Sequence, residues 1–294
     1  MATTAVTRDG SAGSMRRLRA TLHRRPGLRV GSLLALPMTW MVLVYLAPLA
    51  LLFVTAFWTT DSFTGLTVRG FSLENFQEIL TEPAYYTVVL RTVGIAASVT
   101  VLCALIAIPM AFFMARVASA RWQPVLVALV LTPLWASYLV KVYAWRTILA
   151  PEGPADSWFG ATPGYGLPAV VLTLTYLWLP YMILPIYAGL ASMRGSYLEA
   201  AADLGSRPWR TFRTVVLPMV WPSIVAGSIF TFSLSMGDYI TVQLVGGSSL
   251  MLGNAIYQNF SVSLPFAAAL ATIPVLVMVG YLLAVRRTGA LDNL

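Results

Sequence analysis

An all-α polytopic membrane fold is predicted by three features of this sequence: six apolar runs of spanning length, a charged-residue content of only 10%, and arginines gathered into alternate loops. The chain of 294 residues is 58% hydrophobic, with a mean hydropathy of +0.77. A soluble domain carries charge on about a quarter of its residues, so this composition belongs in a lipid bilayer. The net charge of +8 would suggest nucleic acid in a soluble protein. Here its distribution carries the information, and no nucleic-acid partner is expected.

Residues 1–32 are Ser, Thr, Gly and Arg without apolar periodicity, and read as a disordered basic leader in the cytosol. The run 33–57 follows Arg24 and Arg25. It is longer than the apolar core of a secretion signal, about 7 to 15 residues, and ends without a small-x-small site. It reads as an uncleaved first transmembrane helix. Residues 58–87 hold Asp61, Arg69, Glu74, Glu78 and Glu82 and form an extracytoplasmic loop, in which Ser72 caps a short helix ending near Leu80. Further spans are expected at 88–115, 125–145, 168–190, 215–239 and 265–285, within a core of 88–285 and before a cytosolic tail of 286–294. At 1.5 Å per residue each crosses about 30 Å of hydrocarbon. Trp58, Trp122 and Trp158 fall at span ends and read as interfacial anchors.

Of the 19 basic residues, all but Arg69, Arg91, Lys141 and Arg146 fall in the leader, the loops after the second and fourth spans, or the tail. That asymmetry puts both termini and those two loops in the cytosol. The absences are also informative. Lys141 is the only lysine and lacks the glycines of a phosphate-binding loop before it. His23 is the only histidine, which excludes a His-based zinc site or a Ser-His triad. Cys103 is the only cysteine, so no internal disulfide forms.

Between the fourth and fifth spans, within the loop 191–218, stands a polar island, SYLEAAADLGSRPWRTFRTVVLP, from residue 196 to 218. Ser196 and Glu199 have capping-box spacing. The residues 197–204 favour helix, and Gly205 sits where a left-handed residue ends one. Ser206 is then placed to cap a second short helix, with Pro208 in its first turn and Trp209 and Phe212 on one side. Glu199-Ala200-Ala201, Gly205, and then Val215, Leu217 and Pro218 resemble the E-A-A, glycine, Ile-x-Leu-Pro signature of permease subunits of binding-protein-dependent ABC importers, with Val215 in place of isoleucine. The resemblance covers about residues 70–285. It implies that Tyr197, Leu198, Glu199, Ala200, Ala201, Leu204 and Gly205 couple the membrane helices to an ATPase. It further implies ABC ATPase subunits, a second and different permease subunit and an extracytoplasmic solute-binding protein as partners, in a bacterial inner membrane. This chain would hold no cofactor and be no enzyme: ATP and magnesium would belong to the partner ATPase.

Near the outer ends of the spans stand Asp238, Lys141 and Arg91. Ionised groups at such depth need partners or water. One reading pairs Asp238 with Lys141 or Arg91 as a structural ion pair; the other lets Asp238 and Tyr239 face the solute pathway. The segment SLSMGDYITVQLVGG is similar to one in spermidine/putrescine-type permeases, with Val242 where proline is usual. Trp135, Tyr138, Tyr176, Trp178 and Tyr181 are candidate cation–π surfaces for an amine. Permeases for iron, thiamine or aminophosphonate share much of this segment and remain alternatives. A secondary transporter independent of ATP and an intramembrane enzyme are rival classes, disfavoured by the lack of coupling carboxylates within the spans.

Overall fold

The computed structural model describes residues 26–61, 63–160 and 162–287. The expected leader up to residue 25 and the tail beyond residue 287 lie outside the described residues. The chain divides into two compact units, one ending at Val54 and the next starting at Thr55.

The first unit carries α1 (Leu34–Thr55) up to its last residue. A π-helical turn at Val42–Leu46 interrupts it. Leu36, Trp40 and Tyr45 are exposed, and a helix apolar on all sides suits a hydrocarbon solvent.

The second unit opens with a two-stranded hairpin, β1 (Thr59–Thr60) and β2 (Thr67–Val68), paired antiparallel. Strands this short carry no periodic signal, and the hairpin was not expected. Asp61 closes its turn by accepting the amides of Phe63 and Thr64 at 2.8 and 3.0 Å. The short helix expected from Ser72 is α2 (Glu74–Thr81); Ser72 Oγ accepts the Glu74 amide at 3.1 Å. Buried Asn75 donates to the carbonyls of Ala56 and Trp58, at 2.9 and 2.8 Å, and fastens α2 to the start of the unit.

The remaining helices are α3 (Pro83–Val117), α4 (Gln123–Trp135), α5 (Tyr138–Ile148), α6 (Pro154–Phe159), α7 (Leu167–Ser192), α8 (Ser196–Asp203), α9 (Pro208–Met236), α10 (Ile240–Val245), α11 (Leu252–Phe260) and α12 (Leu264–Arg286). Ser263 caps α12 by accepting the Phe266 amide at 3.3 Å. The continuous third span expected at 125–145 is corrected: α4 and α5 meet at a 90° bend. Pro133 removes a backbone donor just before the break, and α5 carries Lys141 and Arg146, which are costly to run through hydrocarbon. Among the described residues five helices are long and apolar enough to cross a membrane, or six if the bent pair is one span.

The core lies where α7 packs against α3 and α9, around Val99, Cys103, Leu174, Ile183 and Val220. Small residues allow the approach. A Cβ on Gly189 would stand 2.1 Å from Ser223 Oγ, and one on Gly227 would stand 2.7 Å from Met182 Sδ. Between membrane helices such close backbone packing replaces the hydrophobic drive. The hydroxyls of Thr92, Thr100 and Thr175 return to carbonyls of their own helices, which satisfies these three in an apolar setting.

Candidate functional site

Two regions answer to the candidate residues. The first is α8 and its surroundings. The capping box expected from Ser196 and Glu199 does not form, and no side chain caps the helix. Gly195 takes the cap position, and its carbonyl accepts the Leu198 and Glu199 amides at 2.9 and 3.2 Å. The helix thus starts one residue early, which puts Ser196 inside it. Its far end follows expectation. Gly205 has φ +73°, its amide donates to Ala202 at 2.8 Å, and Ser206 donates to Ala201 at 3.0 Å. This pair of bonds is a Schellman ending, which requires the left-handed residue glycine adopts without steric penalty.

Leu198 packs against the core and anchors α8, and Ala201 is buried. Glu199 and Ala200 are exposed, Tyr197 is also exposed, and Leu204 is 87% exposed. The expected second short helix is corrected. Pro208–Thr211 passes through a π-helical turn, Phe212–Val216, directly into the fifth span, making one helix, α9. Ser206 does not cap it; its hydroxyl accepts from Thr211 Oγ1 at 3.0 Å. Phe212 stacks on Trp209 at 5.8 Å and meets Phe112 edge-on at 6.1 Å, which holds the start of α9 to the end of α3.

The second region is built around Asp238, in the break between α9 and α10. Asp238 is 7% exposed. Its Oδ2 accepts from Tyr138 Oη at 2.5 Å and from Thr241 Oγ1 at 3.1 Å. Its Oδ1 accepts the Thr241 amide at 2.8 Å, and the Tyr138 and Thr241 hydroxyl oxygens lie 2.8 Å apart, so two hydroxyl protons are shared among three close contacts. The expected ion pair is corrected: Arg91 donates to the Leu250 carbonyl at 3.4 Å instead, and Asp238 makes its bonds with neutral groups. The bend before Tyr138 is the reason, since it turns the first residue of α5, rather than Lys141, onto the carboxylate.

Tyr138 stacks on Trp178 at 6.1 Å, and Trp178 meets Tyr181 edge-on at 5.9 Å. A cavity of about 330 Å³ lies against Asp238, Tyr138, Trp178, Tyr239, Ser233 and Gly237. Tyr239 also stacks on Tyr257 at 5.1 Å. Trp135 stands apart, 87% exposed at the end of α4. Tyr176 packs on Trp145 and lines a different, apolar cavity with Met110 and Pro133. Thr241 was missed by sequence reasoning. Its spacing from Asp238, three residues, is that of a cap and its amide donor, and was a usable signal.

Residues 104–288 match the family described as binding-protein-dependent transport system inner membrane component. The chain belongs to that family. It is 42% identical over 291 residues, 92% of each chain, to the inner membrane ABC transporter permease protein YdcU of Escherichia coli (strain K12). To the spermidine/putrescine transport system permease protein PotB of the same organism it is 31% identical over 265 residues, 86% of this chain and 95% of that one. In fold it resembles a chain of the bacterial alginate ABC transporter solved with an alginate pentasaccharide-bound periplasmic protein, with TM-score 0.69, 14% identity, and 91% and 95% of the two chains covered. This ABC importer permease is an inner membrane protein, and the ATPase belongs to a separate subunit. Family membership thus replaces the secondary-transporter and intramembrane-enzyme readings of its sequence.

Proposed function

We propose that this permease passes a small cationic solute of the polyamine class through a path that begins at the Asp238 cavity. We further propose that an ATPase subunit drives it by gripping α8. The observation that carries the solute class is a buried carboxylate on a cavity lined by Tyr138, Trp178 and Tyr239, with no basic side chain among the lining residues. A carboxylate offers about four acceptor sites. Three are taken by Tyr138 and Thr241, which leaves one for an ammonium group, with aromatic faces beside it. The likeness to PotB supports the same reading.

In the working unit this chain pairs with a second, different permease, two ATPase chains holding ATP and magnesium, and an external solute-binding protein. The arginine distribution supports cytosolic termini and a cytosolic α8. Leu204 and Tyr197 then offer an apolar contact on a short helix, Ala201 allows close docking, and Gly205 provides the turn. ATP-driven closure of the ATPases pushes α8, and the spans switch between inward-facing and outward-facing arrangements as rigid bodies. The test is uptake by proteoliposomes containing the complete importer. Labelled spermidine or putrescine should enter on addition of ATP, and Asp238→Asn should lower that uptake at least about tenfold, equivalent to 1.4 kcal/mol of solute stabilisation. Uptake of thiamine, iron or an aminophosphonate with none of either polyamine would contradict the solute class.

A further inference from the structure

The other end of α7 holds a contact that the sequence motifs do not mention. Arg116 sits in the π-helical turn Phe113–Val117 that closes α3. Its Nη2 donates to the Leu190 carbonyl at 2.5 Å and also to the Met193 carbonyl. These belong to the last turn and the C-cap of α7. Carbonyls in the last turn carry the negative end of the helix dipole, and although the Leu190 carbonyl also accepts the Met193 amide at 3.3 Å, a guanidinium there makes charge-assisted bonds. The Nε of Arg116 is buried without a partner among the described residues. Burying an unpaired N–H is unfavourable, so packing alone does not explain the placement; the two carbonyls do. The π-helical turn aims the side chain, and Gln123 helps by donating to the Ala115 and Ala118 carbonyls at 3.5 and 3.3 Å.

Only Arg194 and Gly195 separate Met193 from α8, and a Cβ at Gly195 would meet nothing within 4 Å. The Arg194 carbonyl accepts the Tyr197 amide at 3.3 Å and the Gly195 carbonyl the Leu198 amide at 2.9 Å, so the joint moves with α8, and a push on it arrives directly at the end of α7, which must be held if the force is to reach the spans. We propose that Arg116 is a positioning residue, a strut that makes α3 and α7 move as one body when α8 is pushed. This rests on the coupling reading of α8. α3 and α7 already pack along their length, and the strut extends that packing to the point where force enters. The two arrangements of the importer are then related by moving the α3–α7 pair against the other helices, as in other two-state membrane assemblies.

The complete importer in proteoliposomes provides the test, read as solute transported per ATP hydrolysed. Arg116→Met removes every donor, and Arg116→Lys keeps the charge on a nitrogen that falls one bond short of Nη2, the atom that makes both contacts. Arg116→Met should assemble and hydrolyse ATP within about twofold of the natural chain, yet transport at least about tenfold less per ATP, the factor that 1.4 kcal/mol removed from one of two states produces. Arg116→Lys should fall between. A residue needed only for folding would lower assembly and leave the ratio of surviving complexes unchanged. A natural ratio in Arg116→Met, or in Arg116→Lys should the first variant not assemble, overturns the proposal. Glu199→Lys alongside separates the two readings: if it also couples normally, the coupling role of α8 has failed, and if it alone uncouples, only the strut has.

Discussion

α8 holds itself together with backbone bonds between near neighbours and turns Leu204 and Tyr197 outward, whereas the Asp238 cavity closes through a bond between residues 100 positions apart. One region is complete as a local shape and open towards a partner. The other is satisfied internally and depends on several elements being in register. Changes to the exposed side chains of α8 should therefore alter function with little loss of stability, and changes at Asp238 should alter both.

The largest effect expected is from Gly205→Val. A β-branched residue is strained at φ +73° by about 1–2 kcal/mol, and the ending of α8 would be lost, so solute-stimulated ATP hydrolysis by the reconstituted importer should fall to background. Glu199→Lys should also abolish it while shifting stability by no more than about 0.5 kcal/mol, because the side chain is exposed. A large fall in thermal stability from Glu199→Lys would erase the contrast between the regions. Next in size is Asp238→Ala, which leaves the Thr241 amide and one of the two hydroxyl protons without an acceptor, since Tyr138 and Thr241 can still bond each other. Thermal unfolding in detergent should show a loss of about 3 kcal/mol. Tyr138→Phe removes one donor and should lose about 1 kcal/mol, since Thr241 still holds the carboxylate. If Tyr138→Phe were as stable as the natural chain, Tyr138 would not fasten α5 to Asp238. The smallest effect is at Asp61, whose carboxyl is held below the usual carboxylate range by the Thr64 and Phe63 amides. A depressed acid stabilises above its unfolded pKa and ceases to as pH falls through the folded one. Hydrogen-exchange protection of those two amides should therefore decline only in acid below the usual range, with the cavity unaffected.

The same contrast explains what was legible in the sequence. The spans were readable because apolar length is a property of consecutive residues, and the end of α8 because Gly205 marks a left-handed turn by itself. The start of α8 was misread: Ser196 and Glu199 have the right spacing, but the backbone of Gly195 reached the amides first. The break between α4 and α5 was hidden because both halves are apolar enough to read as one span. With the break missed, Lys141 looked like the natural partner of Asp238, and Tyr138 only like an aromatic surface. The Arg116 contact carries no local signature, since an arginine near a span end also reads as a topology marker.

Accessibility of α8 tests the central claim most directly. The only native cysteine, Cys103, is buried, so Leu204→Cys places a reactive thiol at a site that is 87% exposed in the isolated chain. With a membrane-impermeant maleimide, the account predicts no labelling of intact cells, labelling in inverted membranes stripped of the ATPase, and protection when the ATPase subunit is restored. Labelling from outside intact cells, or equal labelling with and without the ATPase, would contradict it.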